Sequence, residues 1–208
     1  MRHLFYSLFF FLLLLGCKKG KADFEITGRI YDAGTGTYLA NATLLIYKTN
    51  AGADTPEYYG GVVTDSEGRY TIKIERDRFV SLDLILDDYR YFELNETIYF
   101  EELTTKEANV YDYSVTGKSW IKIHLVNSLT PSEGSHLTIK RITGKEDCAE
   151  CCPGYTRHFY GMVDTTLYCI NDAGTPYSFD YSLVGMGFDG VKSAITPLYD
   201  TVLVELEY

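Results

Sequence analysis

Cys148-Ala149-Glu150-Cys151-Cys152, with Cys169 downstream, is the densest set of reactive side chains in the chain. Thiols at this spacing support disulfide pairing, zinc ligation or thiol–disulfide exchange. A bond between the adjacent Cys151 and Cys152 would close a strained ring. Pairing therefore favours Cys169 with Cys151 or Cys152, and Cys148 with the other. A zinc site would draw on Cys148, Cys151, Cys152 or Cys169 together with His158, and would need one distant Cys and one His to close it. A redox C-x-x-C belongs at a helix N-terminus after a strand, and nothing in the sequence reads as that helix. The compartment decides: an exported chain meets oxidising conditions and holds these cysteines as two disulfides.

The remaining reactive types do not assemble into a catalytic set. His124, His136 and His158 fall on separate predicted strands, with no Ser or Cys in a nucleophile context. Gly185-Met186-Gly187-Phe188-Asp189-Gly190 is glycine-rich, but no helix or Lys follows it to cradle a phosphate. Asp87-Asp88 and Glu101-Glu102 are sequence neighbours, and neighbours on a strand point to opposite faces, so neither pair converges on one substrate. The chain is therefore expected not to be an enzyme and to need no cofactor and no metal. Tyr58, Tyr59, Tyr89 and Tyr91 are the candidate ligand-binding residues. Aromatic rims stack on sugar rings and build protein interfaces, although tyrosine pairs are also ordinary cross-strand packing.

Export is written in the first residues. In MRHLFYSLFFFLLLLGCKKG, Arg2 precedes an apolar run from Leu8 to Leu15. A spanning helix needs roughly 20 apolar residues, so this run is too short to cross a bilayer and reads as a signal peptide. It ends in Leu14-Leu15-Gly16-Cys17, which resembles the lipobox of bacterial lipoproteins. The resemblance implies cleavage after residue 16. Cys17 then carries a diacylglycerol thioether and an amide-linked acyl chain such as palmitate, which together anchor where one chain binds only marginally. It also implies residence at the outer membrane, with the face left open. Removing residues 1–16 takes away Arg2, so the net charge of −10 becomes −11. An acidic body beyond Lys18, Lys19 and Lys21 is repelled by anionic lipid and projects away from the membrane. The same charge excludes nucleic acid as the main partner.

The body that carries these residues alternates in strand fashion. Phe24 to Tyr31, Ala42 to Tyr47, Gly61 to Asp65, Arg69 to Ile74 and Phe79 to Leu86 are predicted strands, the third and fourth as a hairpin around Ser66-Glu67-Gly68. Ile26-Thr27-Gly28-Arg29-Ile30-Tyr31-Asp32, Leu39-Ala40-Asn41-Ala42-Thr43 and Thr64-Asp65-Ser66-Glu67-Gly68-Arg69-Tyr70 together resemble the carboxypeptidase regulatory-like domain. That resemblance implies a transthyretin-type sandwich of about seven strands that serves as an accessory module without catalysis. A fresh alternation begins at Trp120, and further strands are predicted at Leu137 to Ile142, Tyr155 to Val163, Tyr177 to Val184 and Thr201 to Tyr208.

The expected organisation is an all-β chain of two consecutive β-sandwiches. It comprises a signal peptide over 1–16, a lipidated tether over 17–23, a carboxypeptidase regulatory-like sandwich over 24–115, and a second sandwich with a Cys-rich insertion over 116–208. The expected role is non-catalytic binding or scaffolding of an envelope protein, with glycan binding through the tyrosines as the alternative. Cys17→Ser should leave the chain unacylated and unable to enter the detergent phase on phase separation. Membrane fractionation equal to wild type would refute the lipobox.

Overall fold

The computed structural model describes residues 22–128, 134–148 and 150–208; the lipobox and Cys17 lie outside them. It is all-β. Its strands are β1 (Phe24–Asp32), β2 (Thr43–Asn50), β3 (Glu57–Val63), β4 (Arg69–Ile74), β5 (Phe79–Leu86), β6 (Asn95–Tyr99), β7 (Asn109–Val110) and β8 (Tyr113–Val115) in the first part. The second part holds β9 (Lys118–Val126), β10 (His136–Thr143), β11 (Arg157–Tyr160), β12 (Asp164–Asp172), β13 (Pro176–Leu183), β14 (Phe188–Ile195) and β15 (Thr201–Glu207). A single 3-10 turn at Phe100–Glu102 is the one helical piece named among the described residues.

Alternation places one side of each strand in a core. Phe24, Ile26 and Ile30 of β1 are buried, while Glu25, Thr27 and Arg29 turn outward. In β9, Ile121, Ile123 and Leu125 are buried with Lys122 and His124 on the other side. Two separate cores result. One gathers residues from Phe24 to Val115, the other from Ile121 to Tyr208.

The two parts have the same topology. In the first, one sheet runs β4-β1-β7 with β8 also on β1, and the other runs β3-β2-β5-β6. In the second, the sheets are β12-β9-β15 and β11-β10-β13-β14. With β7 and β8 counted as one interrupted seventh strand, each sandwich pairs its strands in the orders four-one-seven and three-two-five-six. The sequence contains no matching repeat, because the shared information is the position of inward residues rather than their identity. In both, the last strand lies parallel to the first: Ile30 is opposite Tyr113 and Asp32 opposite Val115, and Thr201 to Glu207 match Trp120 to Val126.

The predicted hairpin of β3 and β4 is corrected by the structure. The turn forms, but its arms join different sheets, β3 on β2 and β4 on β1. The corner is fixed by side chains. Thr64, buried, donates its hydroxyl to Leu39 O at 2.5 Å and accepts Ala42 N–H at 2.9 Å. The Asp65 carboxylate accepts the N–H groups of Glu67 and Arg69, which hold its pKa below the usual carboxylate range. Gly68 has φ +69, and its carbonyl accepts Ile30 N–H at 3.0 Å. Gly28 is needed for another reason. A Cβ there would collide with the carbonyl oxygen of Tyr111, on the segment joining β7 to β8. Strands β12 and β14 were not anticipated as strands; the first holds Asp164-Thr165-Thr166 and Cys169, the second extends the glycine-rich turn.

Candidate functional site

The most densely tied part of the surface lies where the first sandwich becomes the second. Asp32 ends β1 and is 1% exposed. Its Oδ1 accepts the N–H groups of Gly34 and Thr35, each at 2.8 Å, and its Oδ2 accepts the hydroxyl of Tyr199 at 3.2 Å. Tyr91 in turn contacts the Tyr199 hydroxyl with its own, and the rings meet edge-on with centroids 5.2 Å apart. Burial raises both phenol pKa values. Tyr199 stands at φ +56, a left-handed conformation that a bulky residue holds only when its surroundings dictate it.

The rest of the joint closes around this chain. Arg90 lies over the Tyr199 and Tyr91 rings at 5.6 and 6.0 Å, fixed by a fork onto Asp88 with Nη2–Oδ2 at 2.6 Å. That fork lowers the Asp88 pKa. Gly117 leaves no room for a side chain: a Cβ would meet Leu198 and Tyr199 at 3.0 Å and Asp32 at 3.1 Å. Backbone bonds seal the linker on both sides, with Phe92 N–H to Thr116 O, Lys118 N–H to Arg90 O, Ala173 N–H to Gly117 O and Tyr199 N–H to Lys118 O. The ammonium groups of Lys118 and Lys145 lie over the Phe92 ring at 5.4 and 4.1 Å. The Asp32 carboxylate, the Tyr91 and Tyr199 hydroxyls and the Arg90 guanidinium are all engaged with other protein groups. These contacts tie the end of β1 and the loop after β5 to the segment before β15.

Beside the joint sits the cysteine loop. Cys148 is bonded to Cys151 and Cys152 to Cys169, one of the two pairings open from sequence. Cys169 on β12 is 1% exposed and accepts the Tyr177 hydroxyl at 3.5 Å, whereas Cys148 and Cys151 are half-buried. Ile170 N–H donates to Glu150 O, so the loop covers the outer edge of β12. Glu150 also reaches Lys118 at 3.7 Å. With all four thiols bonded, none remains to ligate zinc with His158, and no group of three or more metal-capable side chains is found among the described residues.

The candidate tyrosines do not form one platform. Tyr58 and Tyr59 are neighbours on β3; the first meets Tyr47 at 5.6 Å between centroids, the second lies under the Lys48 ammonium at 5.0 Å. Tyr89 stands alone in the loop after β5 at 79% exposure. Tyr91 is corrected outright: it is 7% exposed and committed to Tyr199, because the joint closes over it. Sequence reading missed Asp32, Arg90 and Tyr199, whose partners lie far apart in the chain. It also missed a groove of about 480 Å³ on the outer face of β4 and β1, lined by Thr27, Arg29, Tyr38, Arg69 and Asp112. Both guanidinium groups there are already engaged, Arg29 with Tyr38 at 2.9 Å and Arg69 with Glu67 at 2.5 Å. The outward alternation Thr27-Arg29-Tyr31 on β1 was the available signal.

No protein-family profile matches the chain, and no curated protein matches its sequence. Among solved structures, the Bacillus anthracis TIE protein is 16% identical over 90% of this chain and 34% of its own, with a TM-score of 0.42. The Streptococcal ancillary pilin is 8% identical over 90% of this chain and 62% of its own, with a TM-score of 0.37. The shaft pilin SpaA from Lactobacillus rhamnosus GG is 11% identical, covers 89% of this chain and 97% of its own, and scores 0.37. The chain thus spans about a third of the length of the first and under two thirds of the second. These likenesses concern strand arrangement alone.

The two disulfides should differ in what they hold. Their sequence separations are 3 and 17. In the chain-entropy account, closing the shorter loop contributes about 2 kcal/mol and the longer about 3 kcal/mol, before any loss of packing. Urea denaturation should therefore show Cys152→Ser/Cys169→Ser to be the more destabilised double variant, since it also unpacks Cys169 from the core. The reverse order, or four free thiols in protein purified without reductant, would contradict this assignment.

Proposed function

We propose that this chain is a non-catalytic cell-envelope protein, anchored at the outer membrane through Cys17, whose two sandwiches together scaffold a protein partner. The observation that supports the reading is the joint. Relative motion is the default for consecutive domains. Here Asp32, Tyr91 and Tyr199 are spent on preventing it, and a fixed relation between two modules is useful when something reads both. The first module takes the accessory role implied by its resemblance to the carboxypeptidase regulatory-like domain.

Two further features fit a protein partner better than a glycan. The exposed tyrosines are dispersed over separate surfaces, whereas sugar binding calls for rings gathered around one groove. The outer edge of β3, with Tyr58, Gly60, Gly61 and Val63, is uncharged apart from Glu57, and such an edge can take an added strand.

Tyr199→Ala tests the role. It trims only the rim of the first core, where Tyr199 is partly buried, and removes the contact that fixes one sandwich against the other. Wild-type protein on beads should retain a discrete envelope protein in a fixed ratio from solubilised membranes. The variant, with both disulfides formed and its circular dichroism unchanged, should lose most of that capture. Equal retention by the folded variant would contradict a role that needs both sandwiches held in register.

A further inference from the structure

We propose that His136 and His158 form a binding site for a borderline divalent transition ion, zinc or copper, on the outer face of the second sandwich. His136 opens β10 and His158 lies in β11; the pairings His136 with Tyr160 and Thr138 with His158 put all four side chains on one face. The ladder brings His136 Nε2 to 2.9 Å from His158 Nδ1. Tyr160 stacks on His136 with centroids 4.3 Å apart and rings inclined by 19°, which holds the imidazole in place without occupying its nitrogens.

Two zinc–nitrogen bonds of about 2.0–2.1 Å place their nitrogens roughly 2.9 Å apart at a right angle and about 3.4 Å apart at the tetrahedral angle. The ring centroids are 5.2 Å apart, so the two nitrogens face each other along the line of the rings, and the two side chains must turn and part by up to about 0.5 Å for both lone pairs to converge on one ion. One proton now bridges the two nitrogens. With His136 carrying its proton on Nδ1 and His158 on Nε2, both bridging nitrogens present lone pairs, and the ion, to one side of the line between them, displaces the shared proton. The face is open, so water fills the remaining positions, and copper should bind more tightly than zinc.

Among the described residues, the remaining histidine and the cysteines are committed elsewhere. His124 directs Nε2 to Asp164 at 2.9 Å and Nδ1 to Glu205 at 3.7 Å. Its two partners therefore lie on opposite sides of the ring and cannot share one ion with it. The four thiols near the joint are disulfides.

The test is calorimetric titration of the full chain in detergent, without a polyhistidine tag, with zinc chloride and separately with copper chloride at neutral pH. Wild type should bind one equivalent, reversed by chelator. His136→Ala and His158→Ala should each weaken binding by about tenfold or more, since each removes one of two protein ligands, while His124→Ala should bind as wild type. Copper should also broaden the imidazole resonances of His136 and His158 ahead of that of His124. His158→Gln, which keeps a polar side chain on the same strand, guards against a folding artefact and should be as impaired as His158→Ala. Absence of saturable binding, or binding undiminished in both His136 and His158 variants, would overturn the site.

Discussion

Pairing the last strand of each sandwich parallel to its first forces the chain out of the module at the end opposite to where it came in. Asp32 and Val115 are opposite one another, so the first sandwich is left beside the end of β1, and Lys118 starts the second sandwich directly there. The same pairing of β15 with β9 carries the C-terminus to the far end, where Tyr208 N–H donates to Val126 O. Nine residues of strand span about 30 Å, so the two modules in series hold the start of β1 and the end of β15 well apart. Antiparallel closure would have brought the ends together and given a folded-back pair.

A tandem of this kind still bends unless its hinge is occupied, and the joint occupies it. Residues 116 and 117 are the whole connection between β8 and β9, and both are paired to neighbouring backbone. The buried Asp32 carboxylate is satisfied by two N–H groups from its own turn and one hydroxyl from the second sandwich, so loss of that hydroxyl strands a buried acceptor at a cost of about 1–3 kcal/mol. Tyr199 is the residue on which both modules converge. Its left-handed backbone directs the ring into the first sandwich, and Arg90 covers it from the other side.

Much of the architecture was legible because it rests on alternation. Strands β1, β5 and β9 follow the period of two closely, and the two disulfides are the pairing class that the expectation of export called for. Strand β12 escapes a sequence reading because Cys169 reads as part of the cysteine set rather than of a ladder, and β14 because Gly190 and Lys192 blur its pattern. The turn at Gly68 was legible, yet its arms were assigned to one sheet, since local sequence does not say which strand a strand will pair with. The site was the least legible. Tyr91 meets Tyr199 across 108 positions and Asp32 meets it across 167, and no local pattern distinguishes a tyrosine that closes a joint from one that faces solvent. A shorter separation of 22 positions still hides the cross-strand meeting of His136 and His158.

The central claim is that the two sandwiches form one rigid tandem. Backbone nitrogen-15 relaxation, read separately for residues 24–115 and 118–208, tests it most directly. A single rotational diffusion tensor should describe both sets, and Tyr199→Ala should split it into two. Independent tumbling of the two sandwiches in the wild-type protein would contradict the claim.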